Sequence, residues 1–168
     1  RHGHARRRRS RAASRTRLTG GWCPEHARMP QLLITPQRLS AVAGSPWAPR
    51  LRAAADAMLS DAPARRVMDG RRLLEVSRTV LARCSVLGLA HRLWGGPYAG
   101  RAAAELDAVA AFSDWNPAHF LDTAEMAAAV ALGIDWCADA LPPAVRARAV
   151  AALARHAVAP ALAEAHWW

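Results

Sequence analysis

The chain contains no lysine: all 23 of its basic residues are arginine. That usage follows from GC-rich coding as readily as from selection for guanidinium chemistry, so the arginine count alone carries no functional reading. Cysteine is sparse. Cys23, Cys84 and Cys137 stand far apart with no Cys-x-x-Cys pair, which excludes the usual zinc-ligand spacing. Cys84 and Cys137 fall on apolar faces and read as small core residues, and the cysteines leave the cellular compartment open. There is one asparagine, Asn116, and one tyrosine, Tyr98. No uncharged apolar run reaches the roughly 18 residues that a membrane span needs. G-x-S-x-G, H-E-x-x-H, the P-loop and the glycine-rich dinucleotide turn are all missing, so no nucleophile, metal or nucleotide site is marked by spacing alone.

What is present is alanine, arginine and leucine in helical rhythm. The 168 residues suffice for one domain with a real core. The net charge of +10 would suggest a nucleic-acid partner, but it is unevenly placed: residues 1–28 carry +8 and residues 29–168 only +2. Residues 1–28 therefore read as an Arg-rich arm, disordered or non-native, preceding a nearly neutral domain at 29–168. As a nucleic-acid or anionic-surface tail the arm would be sequence-blind, since no aromatics alternate with its arginines. It also lacks the apolar stretch of about 7 to 15 residues that a secretory signal requires.

Glycine and proline punctuate the rest. Leu32 to Ile34 look extended, Thr35 suits an N-cap and Pro36 a first helical position, and Gly44 closes a short helix. A second helix is predicted in "APRLRAAADAMLSDAP". Asp69 to Leu93 reads as a long helix stopped by Gly95-Gly96-Pro97. The next runs from Tyr98 to Phe112, with Arg101, Glu105 and Asp107 toward water. "TAEMAAAVALGIDWCADA" follows, then Ala144 to Val158 after Leu141-Pro142-Pro143, with Pro160 opening a further segment. Long helices and short turns make an all-α array of antiparallel hairpins. No repeat consensus is visible, which favours a closed or partly closed toroid over a solenoid.

The polar residues crowd into "SDWNPAHFLDTAEM", Ser113 to Met126. Asp122 and Glu125 stand in the D-x-x-E relation of a capping box, and the alternative is a carboxylate pair for acid/base work. Asn116-Pro117 marks a turn. Beside it Trp115 could offer a stacking face and His119 a proton donor, or His119 could be a buried, hydrogen-bonded histidine. His91 and His156 read as packing or surface residues. Trp167-Trp168 could line a sugar cleft or be core continuing into further polypeptide; a chain that opens on Arg1 and stops there reads as a piece of a longer one.

Three stretches in order, "PQLLITPQRLSAV", "DWNPAHFLDTAEMAAAVALGIDWCADALPPAVRARAVAAL" and "APALAEAHWW", resemble the N-terminal helical part of the bacterial heparinase II/III-like polysaccharide lyases. The likeness covers residues 30–168. It implies an incomplete α/α toroid, continued by a β-sandwich domain outside this segment, and β-elimination on uronate-containing glycans. That reaction needs the uronate carboxylate neutralised, a base for the C5 proton and an acid for the departing O4. In such families Asn or Glu, His and Tyr fill these roles.

The resemblance places these groups beyond Trp168, so no catalytic residue is expected here and the segment alone would be inactive. It makes Trp115, Asn116, His119 and Trp168 candidate substrate-binding residues for an acidic polysaccharide. No metal or cofactor is expected within the segment, a zinc among relatives belonging to the β-domain. A periplasmic or secreted location follows by the same analogy. Two other readings stay open: a non-enzymatic helical scaffold whose arm binds nucleic acid, and a toroid glycoside hydrolase using Asp122 and Glu125, which would need their carboxyls about 5 to 10 Å apart across a cleft.

Overall fold

The computed structural model describes residues 32–163; the arm at 1–28 and the Trp167-Trp168 pair lie outside them. The fold is all-α, and no strand forms among the described residues. Thr35 caps α1 (Pro36–Ala43) as expected, its hydroxyl accepting from Arg38 N at 3.2 Å. The stretch before it is bent rather than extended: Leu33 takes a φ of 62°. Leu32 N donates to Asp135 Oδ2 at 2.9 Å, and Trp136 Nε1 donates to Leu32 O at 2.8 Å. Two contacts over a hundred residues away override the local β preference.

After α2 (Ala48–Met58) the chain crosses the surface without regular structure to residue 73, where α3 (Leu74–Trp94) begins. That start is five residues later than the sequence rhythm indicates. Asp69 and Arg72 instead exchange both backbone hydrogen bonds across a tight turn, with Gly70 at φ 56°. Gly95 and Gly96, both at positive φ, then turn α3 into α4 (Tyr98–Ala110). Arg83 reaches Glu105 across this antiparallel hairpin.

Helices α5 (Phe120–Trp136) and α6 (Pro143–Leu153) form the second hairpin. Ser77 bonds Glu125 and His91 bonds Asp139, both at an offset of 48 residues. Gly88 meets Trp136 at the same offset. A constant offset means that α3 and α5 run parallel and in register, while α4 packs on α6 beside them. Val80, Cys84, Leu87, Leu106, Val109, Met126 and Val130 are fully buried between these helices. Each large apolar side chain there contributes about 1.5 to 3 kcal/mol by leaving water.

Arg101 and Glu105 do not face water. They are 8% and 0% exposed, because the irregular segment after α2 lies across α4. Ala64 N donates to Glu105 Oε1, and Arg101 donates to the Asp61 and Ala62 carbonyls. The last helix also differs from the sequence reading. It runs past Pro160 through a π turn at Ala154–Val158 into α7 (Ala159–Leu162) instead of restarting there.

Candidate functional site

The site is built where the turn at residues 113–119 meets the starts of α3 and α5. Asp114 makes the turn. Its Oδ1 accepts from Asn116 N at 2.8 Å and from Arg66 Nη2 at 2.7 Å, and its Oδ2 accepts from Ser113 Oγ. Burial works to raise the Asp114 carboxyl, but these donors outweigh it and hold it below the ordinary carboxylate range. The Asx turn expected here is thus made by Asp114, two residues ahead of the asparagine itself.

Asn116 sits at φ 60°, a left-handed conformation that asparagine tolerates better than other side-chain-bearing residues. That conformation points its amide inward. Nδ2 donates to Arg71 O at 3.0 Å and to Asp122 Oδ2 at 2.7 Å. Asp122 is fully buried and also accepts from Leu73 N at 2.7 Å and from Arg72 Nη2 at 2.9 Å. Desolvation pushes its carboxyl up, while Arg72, Leu73 N–H and Asn116 together pull it further down, so it stays ionised.

The capping box is therefore absent. His119 is the N-cap of α5 and makes no side-chain capping bond. Asp122 clamps the turn before α3, and Glu125 accepts from Ser77 Oγ at 2.8 Å with Arg78 beside it. Nor are the two acids a catalytic pair across a cleft, since both are spent binding α5 to α3. The hydrolase reading loses its carboxylates.

Trp115 is corrected as well. It is 0% exposed, with Nε1 on Val109 O at 3.1 Å and its carbonyl accepting from Thr123 Oγ1, so it offers no stacking face to a sugar. Asn116, 7% exposed, is a structural brace. His119 is the predicted residue that reaches a surface hollow. Its ring borders a depression of about 480 Å³ together with Arg72, Ala118, Phe120, Leu121 and Ala124. Its Nε2 is buried and has no hydrogen-bond partner among the described residues. Trp168 lies outside the described residues.

No protein-family model matches the chain, and no curated protein sequence is significantly similar to it.

Arg72 is the residue that the sequence did not single out. Its side chain is 39% exposed. Nε and Nη2 hold Asp122. Nothing in "DGRRLL" marks it, because its carboxylate partner comes from 50 residues later. No group of three or more metal-ligating side chains occurs among the described residues, and none of their helices is long and apolar enough to cross a membrane. Tyr98 is 3% exposed and its hydroxyl donates to Asp56 Oδ1, which with burial holds the phenol above its ordinary value. It is in no position to serve as an acid toward a ligand.

Proposed function

We propose that this chain is the scaffold and groove portion of a polysaccharide lyase that cleaves uronate-containing glycans by β-elimination, with α3 to α6 as successive hairpins of an incomplete α/α toroid. The ordered motifs around "DWNPAHFLDTAEM" support the family. The parallel register of α3 and α5, with α4 and α6 beside them, is what stacked α/α hairpins require. The observation that carries the reading is the depression bordered by Arg72 and His119. An exposed guanidinium edge suits a sugar carboxylate or sulfate, and the apolar Leu121 and Ala124 suit the ring's C–H face. The groups that deprotonate C5 and protonate O4 come from a segment following Trp168, and a periplasmic or secreted setting goes with the reading.

The test uses the reading frame extended past Trp168, offered a panel of uronate glycans. Ultraviolet absorbance from a new C4–C5 double bond is expected with at least one of them; its absence with all would overturn the lyase assignment. In parallel, binding of the present chain to immobilised uronate glycan is compared with Leu121→Glu. Leu121 is 53% exposed, and the new carboxylate enters the depression without touching the Arg72–Asp122 clamp. Binding weakened by the substitution and absent toward a neutral glycan is expected.

A further inference from the structure

His156 is buried, 5% exposed, inside the π turn, and the reading above does not use it. The turn has a local cause. Pro160 has no N–H to return to the His156 carbonyl, and its ring would collide with that carbonyl in a regular helix. Widening the turn by one residue, with Ala159 N donating to Ala154 O, lets the helix pass the proline.

In this turn Arg155 lies against its neighbour's ring, with Nε and Nη2 at 3.2 and 3.0 Å from His156 Nε2. A guanidinium only donates, so Nε2 must present its lone pair and the imidazole is neutral. The ring also packs on Trp115, centroids 5.4 Å apart and planes tilted by 46°. Trp115 in turn holds the turn that carries Asn116 and His119.

We propose that His156 is an acid-released latch: neutral, it fastens residues 154–162 onto Trp115, and on taking a proton at Nε2 it repels Arg155 and lets that segment swing away. Protonation would remove the lone pair and set two cations side by side. The opposing groups are Asp114, already committed to Arg66, a backbone hydrogen bond to Phe112, and the Trp115 ring, whose face favours a cation. Burial first and Arg155 second outweigh them and hold the imidazole below the ordinary histidine value of 6.5. The sign follows: the open segment binds the proton more tightly than the closed one. Attachment is complete above the ordinary value and is lost as pH falls toward the lower closed-state value. The latch does not depend on the lyase reading.

The experiment follows the His156 ring proton by NMR while amide exchange, corrected for its intrinsic pH dependence, is measured along the whole chain. Expected is a His156 midpoint below the ordinary one. The opening equilibrium of residues 154–162 should rise roughly tenfold per pH unit between the two values, the signature of one proton, while α3 stays protected. His156→Gln keeps an acceptor for Arg155 and should abolish the pH dependence. Arg155→Met leaves the histidine in place, so it reports even if the first variant fails to fold; it should raise the midpoint and reduce the acid-driven opening of the segment, leaving only the part that burial causes. Exchange of residues 154–162 that ignores the His156 titration, or that keeps the same pH dependence in Arg155→Met, would overturn the latch.

Discussion

Asn116 Nδ2 lies 2.7 Å from Asp122 Oδ2, and the same asparagine amide reaches the carbonyl of Arg71. One left-handed residue thereby ties the turn before α5 to the turn before α3 and completes the donor set of a fully buried carboxylate. The crowded polar stretch is a clamp first, and the depression at its edge exists because the clamp holds Arg72 and His119 in place.

Asp122→Asn should lower stability by about 2 to 4 kcal/mol. It leaves Leu73 N–H, Asn116 and the guanidinium of Arg72 facing a group that carries no charge and brings two donors of its own. Urea denaturation followed by circular dichroism measures it, and a loss under about 0.5 kcal/mol, the size of an ordinary surface change, would contradict the clamp.

The acid side of the stability profile should be steep. Asp114, Asp122 and Asp139 are all held below the ordinary 3.8, in each case against the pull of burial, by Arg66, Arg72 and His91 with their neighbouring donors. Lowered folded values mean stability that is fully present above the unfolded value and lost as pH falls through the folded ones. Thermal melts from neutral pH down to about pH 2, well below the reference carboxylate value, should show this loss, with a shallower slope below pH 4 or so in Asp122→Asn.

Gly133 lets α5 approach α4. A Cβ there would stand 3.0 Å from Leu106 Cδ2, and Leu106 is fully buried. Overpacking costs about 1 to 3 kcal/mol, partly offset by the roughly 1 kcal/mol that alanine gains over glycine in a helix. Gly133→Ala should therefore lose about 1 kcal/mol net, and in a Leu106→Val background the same change should become neutral or stabilising. A double-mutant cycle showing simple additivity would refute the contact.

The buried thiols should be inert. Burial pushes Cys137 up to about 12 and Cys84 higher still, and both are 0% exposed. In a Cys23→Ser background, neither should react with a thiol-specific reagent at neutral pH until denaturant is added. Labelling under native conditions would show that the core opens locally.

Much of the helical frame was legible in the residues themselves. Proline and glycine are local signals, so the Thr35-Pro36 start, the Gly95-Gly96-Pro97 turn and the helix start at Pro142-Pro143 fall where the chain indicates them, although α5 already ends at Trp136, before the predicted break at Leu141. Apolar spacing likewise placed Cys84 and Cys137 in the core. A helix's period and its stops are set by neighbours within a few residues, and that information is contained in a short window of sequence.

The roles of the polar residues were not contained there. Asp122 and Glu125 have the spacing of a capping box, yet Arg72, Leu73 and Ser77, close to 50 residues earlier, take their oxygens. Glu105 and Arg101 look solvated on a helical wheel, yet the segment over α4 buries them. Trp115 passes from candidate sugar platform to core. A charged or hydrogen-bonding group can be satisfied by any partner that the fold brings near, and its own neighbours in sequence do not say which. Most helices and their glycine and proline stops were therefore determined locally, whereas the bend at Leu33, the clamp, the exposure of Arg72 and the burial of His156 were decided only when α3, α5 and the last helix packed together.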